Sequence, residues 1–151
     1  MISTELKEQL SILHPSLVIE EPAEWLHVHV EASEWLVLAG QLKNNESLSF
    51  DYLFCVTCVD WKTHLSMVYH LRSLKHAHTL VVKIKLDREK PEVESVANIW
   101  RTAEFHEREA YDLFGVIFLH HPDLRRLFLT EDWVGWPLRK DYEDPVNMIK
   151  L

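Results

Sequence analysis

Two cysteines and ten histidines are the side chains of this 151-residue chain best suited to redox or metal chemistry. Cys55 and Cys58 form a CxxC. A thioredoxin-type pair needs its first thiol at a helix N-terminus, where the thiolate is stabilised. Here the pair falls in a β-branched, apolar run, and residues three apart on a strand point to opposite faces. Two buried, reduced thiols are expected. A zinc site needs two further ligands, and a cluster held by four cysteines is excluded by count. His27 and His29 share one strand face and form a weak metal grip at best, with no carboxylate spaced to complete a shell. His76 and His78 flank a turn. His106-Glu107-Arg108-Glu109-Ala110 opens like the HExxH of zinc proteases and fails at Ala110, where the second ligand belongs. Glu107 and Glu109 diverge by about 200° around a helix and do not converge for acid–base work. Arg108 and Asp112, at i and i+4, read as a structural ion pair. His120-His121, in an extended run before Pro122, reads as a surface or interface contact. The residues thus predict no catalytic, metal or cofactor site. The competing class is a free-standing redox or metal enzyme built on Cys55 and Cys58 or on the histidines.

The elements that carry these residues follow from periodicity. Leu6, Leu10 and Leu13 lie at i, i+4 and i+7, which predicts a short amphipathic helix ended by Pro15. Two strands follow at 17–20 and 26–30, with a turn at Pro22 between them. Trp35, Leu38, Ala39 and Leu42 form the stripe of a second helix that begins near Ser33. Segments near 52–60, 65–74 and 79–86 are β-rich, the last two alternating apolar and polar residues, and the gaps between them are short enough for hairpins, so antiparallel neighbours are expected. Residues 87–94 read as a charged loop. Ser95 is placed as the cap of a short helix carrying Val96, Ile99 and Trp100. A last helix spans 103–114, with Gly115 at the left-handed position beyond its end. The order α-β-β-α-β-β-β-α-α predicts an α+β fold: a two-layer domain over 1–115 with a mixed, largely antiparallel sheet.

Composition excludes whole classes. Residues 1–60 hold ten acids against two bases, and the remainder is balanced, giving a net charge of −8 with no basic patch for phosphates. No nucleic-acid partner is expected. No stretch free of Asp, Glu, Lys and Arg exceeds the eleven residues from 9 to 19, too short to span a bilayer. The first residues show no basic, apolar or arginine-rich leader, so a cytosolic bacterial chain is expected. Three glycines do not suffice for a dinucleotide or phosphate loop where they stand.

Residues 116–151 contain three prolines and no sustained periodicity, yet carry Phe118, Leu124, Phe128, Trp133, Trp136 and Leu138. A disordered tail is poor in such residues. So much apolar area needs a cover, either the chain's own domain or another protein. A core already complete by residue 115 points to another protein, and 116–151 is read as an extended partner-binding segment.

Residues 106–142 carry a recognisable string: His106 to Gly115, then His121-Pro-Asp-Leu-Arg-Arg126, then Asp132-Trp-Val-Gly-Trp-Pro-Leu-Arg-Lys-Asp-Tyr142. It resembles the signature of the respiratory-chain NADH dehydrogenase 30 kDa subunit family, the C subunit of NADH–quinone oxidoreductase (complex I). Glu107, Arg108, Glu109, Asp112, Leu113, Phe114, His121 and Arg125 match its motif positions. Val59-Asp60-Trp61 and Tyr69-His70-Leu71 extend the resemblance to about 50–142. The chain departs from the family at His120, where a glycine is usual, and at Trp136, commonly a histidine. The resemblance implies a component of a proton-translocating oxidoreductase that is itself non-catalytic. Such a component would lie in the peripheral arm on the cytoplasmic face of the bacterial inner membrane. FMN, iron–sulfur clusters and quinone would belong to partner subunits. The chief partner would be the hydrogenase-like quinone-site protein, the D subunit. Arg125, Arg126, Arg139 and Lys140 would make charged contacts to it, and Trp133, Trp136 and Leu138 apolar ones. The equivalent component of a membrane-bound nickel–iron hydrogenase or of a quinone reductase with another donor shares the signature.

Overall fold

A computed structural model describes residues 3–21 and 24–148. The expected turn at Pro22 and the last three residues of the chain lie outside the described residues. Two helices, α1 (Ser3–Leu13) and α2 (Ala32–Asn44), flank strands β1 (Val18–Glu20) and β2 (Leu26–His29) in the chain. Strands β3 (Tyr52–Asp60), β4 (His64–Arg72) and β5 (Thr79–Asp87) form two consecutive hairpins. The five strands make one sheet in the order β1-β2-β5-β4-β3, with β2 and β5 parallel and every other pair antiparallel. The expected α+β fold is the observed one.

Apolar periodicity decides which way each element faces. Leu6 and Leu10 of α1 and Trp35, Leu38, Ala39 and Leu42 of α2 are buried in one core. The inward residues of the strands join it, among them Val56, Tyr69, Val82 and Val28, which lie in register across four strands. All helices therefore cover one face of the sheet. A bulge between Leu53 and Cys55 shifts the register of β3. Beyond it Cys58 points into the core while Cys55 is only half-buried, and both thiols are free. Burial pushes the Cys58 thiol up to about 12, so it stays protonated and unreactive at neutral pH.

Four expectations are corrected after residue 87. The charged loop contains a strand, β6 (Glu92–Glu94), paired parallel with β7 (Ile117–Leu119). Val116 and Phe118 are fully or almost fully buried in the main core, so the domain does not close at Gly115. The helix expected from Ser95 is a single turn in which the Val96 carbonyl accepts from the Ile99 and Trp100 N–H groups. That turn hangs from the core by Trp100, whose indole N–H donates to the Phe50 carbonyl at 2.9 Å. The last helix, α3 (Ala103–Phe114), does match, and Gly115 ends it with φ of 76°. The fourth correction concerns 120–148. This segment folds back over α3, where the apolar content had pointed to a separate protein as its cover.

Candidate functional site

The signature helix buries charges that an amphipathic helix normally shows to water. Glu107 and Asp112 are fully buried and Arg108 is 4% exposed. Charge at such depth survives only when hydrogen bonds surround it. Each of these side chains ties down a different piece of irregular backbone.

Glu107 holds the turn after β6. Its carboxylate accepts the Ser95 hydroxyl at 2.6 Å and the Val96 N–H at 2.8 Å. Burial raises its pKa to about 7, outweighing the two donors that favour the charge. His121 lies beside it, with Nε2 3.7 Å from the carboxylate and its side chain wholly buried. Nε2–H donates to the Glu104 carbonyl at 3.0 Å, and Nδ1 accepts the Asp123 N–H at 2.9 Å. Both ring nitrogens are occupied within the chain, which corrects the expected surface contact. His120, in contrast, is exposed and has φ of 62°, the left-handed region where glycine is at ease. The usual glycine of the family thus has a conformational reason.

Asp112 holds the segment after Pro122. One carboxylate oxygen accepts the N–H groups of Leu127, Phe128 and Leu129 at 3.1, 2.6 and 3.1 Å. The other accepts from Arg126 Nη1 at 3.0 Å. Burial opposes its charge, yet the Phe128 and Leu129 amides, Arg126 and the Leu127 amide together hold the carboxyl below its ordinary range. The expected Arg108–Asp112 ion pair is therefore not formed. The acid is saturated by the returning chain, and Arg108 donates instead to the carbonyls of Arg125 and Arg126 at 3.1 and 2.9 Å.

Arg126 knots the strap 120–148 to the helix. Besides Asp112 it donates to the carbonyls of Trp133 and Gly135 at 3.0 and 3.2 Å, and its guanidinium stacks 4.7 Å from the Trp136 ring. The fork of Arg126, expected at a partner contact, is engaged inside the chain. Trp136 is likewise turned inward, against Tyr111 and directly over Gly115, where an added Cβ would come within 2.6 Å of the ring. Arg139 also works inside the chain, donating to the Phe114 carbonyl at 2.6 Å. The Leu138 N–H reaches the Leu113 carbonyl at 3.0 Å, which turns the Leu138 side chain outward, 52% exposed.

A second clasp lies at the far end of the strap. Asp60 accepts the Lys140 N–H at 2.8 Å and pairs with Arg88, which also reaches Asp141 at 2.8 Å. The Arg88 guanidinium holds the Asp60 carboxyl well below the usual carboxylate range. Asp60 is the feature that sequence reasoning noted within a resemblance but gave no role. Between the clasps the strap displays Phe128 at 67% and Val134 at 86% exposure, beside Leu138 and the half-buried Trp133. Arg125 and Lys140 side chains are exposed, Arg125 resting against Asp123 at 2.9 Å. Leu113 and Phe114 are half-buried, and Glu109 is exposed.

Residues 28–146, which include α3, both clasps and almost all of the strap, match the family model described as the respiratory-chain NADH dehydrogenase 30 Kd subunit. The chain belongs to this family. It is 44% identical over 135 residues to the joined C/D subunit of the NADH-quinone oxidoreductase of Phocaeicola vulgatus, covering 88% of this chain and 24% of that protein. To the C subunit of the Chloroherpeton thalassium NADH-quinone oxidoreductase it is 46% identical over 111 residues, covering 72% of this chain and 46% of that one. The C subunit of the F(420)H(2) dehydrogenase of Methanosarcina mazei is 46% identical over 128 residues, with 83% and 79% covered. The chain thus spans about a quarter of the first relative's length and under half of the second's. Among solved structures, a trypsin-resistant fragment of Nqo5 superposes with a TM-score of 0.70 at 26% identity, covering 82% of this chain and all of the fragment. A chain of an archaeal respiratory membrane complex, the membrane-bound sulfane sulfur reductase, superposes with a TM-score of 0.80 at 26% identity, with 93% and 85% covered. Among the described residues, no helix of this family member is long and apolar enough to cross a membrane.

Proposed function

We propose that the chain is the C subunit of a proton-translocating NADH–quinone oxidoreductase and acts there as a non-catalytic assembly component. The strap carries this reading. Arg108 and Asp112 of α3, Arg126 of the strap and Asp60 of β3 fix 120–142 against the domain, and the product of that arrangement is an ordered strip with Phe128, Val134 and Leu138 facing out. A strip ordered before contact avoids most of the entropy cost of ordering a loop on binding. Exposed aromatic and aliphatic anchors with the charged rim of Arg125 and Lys140 are what a protein partner recognises. Relatives that unite C and D in one chain support the quinone-site protein as that partner. Electrons would pass from NADH through FMN and iron–sulfur clusters to quinone in partner subunits, with this chain on the cytoplasmic face of the inner membrane.

The test is a tagged full-length chain carrying Phe128→Glu and Val134→Glu, both at exposed positions. Unchanged circular dichroism with loss of the co-purifying quinone-site protein and of membrane NADH–quinone activity is the expected outcome. Undiminished recovery of the quinone-site protein would refute the strap contact. A recovered complex that oxidises a deazaflavin donor in place of NADH would move the chain to the type of complex represented by its F(420)H(2) dehydrogenase relative.

A further inference from the structure

Among the described residues the helices cover one face of the five-stranded sheet and leave the other without a helical layer. An antiparallel face meant for water alternates to polar residues. Here the outward positions mix polar residues such as His27, Ser66 and His70 with the half-buried Trp25, Phe54, Val59 and Val68, and Val81 beneath them is only 1% exposed. Trp25 meets Phe54 edge-on at 6.3 Å and His70 at 5.9 Å, and Phe54 lies 5.6 Å from His70, so the rings form one patch from the start of β2 across β4 to β3. Tyr52 extends it toward the free edge of β3 at 44% exposure. Charge on this face runs against the rest of the molecule. In a chain of net charge −8, the outward strand residues supply Arg72, Lys83 and Lys85 against Glu20 and Asp87. Glu20 is already engaged by His29 at 3.1 Å and by Lys83 at 3.8 Å.

From the aromatic patch and the acid-poor rim we infer that the outer sheet face is a second docking surface, for another protein of the assembly that presents carboxylates around an apolar centre. Two copies pairing face to face through this surface fit poorly, because Arg72, Lys83 and Lys85 would meet their own kind. Aromatic side chains at the centre of such a patch are the usual anchors, and lysines at its rim supply steering and register. The surface is distinct from the strap, which is bonded to α3 on the helical side of the sheet.

Two single-cysteine reporters in a Cys55→Ser background test it, with Cys58 silent in the core. Thr57→Cys reads the outer sheet face and Val134→Cys reads the strap, both at exposed positions. Each is labelled with a maleimide in the free full-length chain and in the complex purified from membranes. Burial in an interface that excludes water is expected to slow labelling of Thr57→Cys by about tenfold or more. A carbodiimide applied to the wild-type complex is expected to join Lys83 or Lys85 to an Asp or Glu of another protein in it. Equal labelling of Thr57→Cys in both states would overturn the inference, as would carbodiimide links only to a second copy of this chain. Protection of Thr57→Cys without protection of Val134→Cys would defeat the strap reading and leave this one standing.

Discussion

The sheet with its first two helices and the strap over α3 are held by opposite means. In the first region Trp35, Leu38, Leu42 and the inward strand residues form a continuous apolar core, and removal of that area from water supplies the stability. In the second, Glu107, Asp112, Asp60, Arg126 and Arg88 fix backbone that makes no regular ladder. Apolar packing tolerates substitutions of similar volume. A buried carboxylate with three amide donors tolerates almost none, because each donor left behind is unsatisfied. A segment held in this way keeps one shape at its outer surface, as a docking strip requires.

Asp112→Ala breaks the contrast most sharply. It takes the carboxylate from Arg126 and leaves the Leu127, Phe128 and Leu129 amides without their acceptor, and breaking a buried pair costs about 3–5 kcal/mol. The expected result in urea unfolding is a loss of that size, with proteolytic nicking confined to 122–142. Leu38→Ala, with a comparable cost of about 2–5 kcal/mol, should destabilise the sheet core without selective exposure of the strap. A strap that stays protease-resistant in Asp112→Ala would show that apolar contacts suffice to hold it.

Within the charged region, the acids respond oppositely to pH. Glu107 has its pKa raised from 4.5 to about 7, so the folded state holds this proton more tightly than the unfolded chain. Its contribution to stability is full below about pH 4.5, falls as pH rises, and is lost above about pH 7. The difference amounts to about 3 kcal/mol at 1.36 kcal/mol per pH unit. Asp60 and Asp112, whose pKa values are lowered, contribute above the ordinary carboxylate value and lose that contribution as the solution is acidified. From pH 5 to 8 the Glu107 contribution falls, while burial of His27, His70 and His78, whose pKa values are lowered, works the other way. Wild-type denaturant midpoints should therefore decline relative to those of Glu107→Gln. An unchanged slope in Glu107→Gln would remove this acid as the cause.

The first region was legible because its signal is periodic. The stripes of α1 and α2 and the alternation in β4 and β5 state both element and facing direction, and the burial follows them. Strands β6 and β7 escaped because three residues are too few to show alternation, and Glu92 and Glu94 give β6 the look of a charged loop. The second region misled for a different reason. Spacing on α3 made Arg108 and Asp112 neighbours, whereas their partners come from 14 to 18 residues further along the chain. No local rule finds those donors. The family string marked which residues matter, and the structure supplied what each one holds.

Gly115 is the point where the two regions meet, and its effect is smaller. Alanine there incurs left-handed backbone strain and drives a methyl into the Trp136 ring, at a combined cost of about 1–3 kcal/mol. If Trp136 is what forbids the side chain, Gly115→Ala should cost less in a Trp136→Ala background. Additive losses in the double-mutant cycle would leave backbone strain as the whole reason.

The smallest effect tests the strap's own irregularity. His120 stands at φ of 62° where the family usually has glycine. That conformation costs a residue with a Cβ about 1 kcal/mol. Its ring reaches Glu94 at 2.9 Å, but with the His120 side chain 81% exposed the pair is screened and contributes little. His120→Gly relieves the strain, loses a weak contact and adds some freedom to the unfolded chain. The balance favours glycine by about 0.5 kcal/mol, since the strain is the larger of the opposing effects. Urea midpoints of the two proteins decide it. A loss of stability on going to glycine would show that the Glu94 contact helps to hold the start of the strap, and that the apolar and charged regions are joined there by a surface pair as well as by the buried ones.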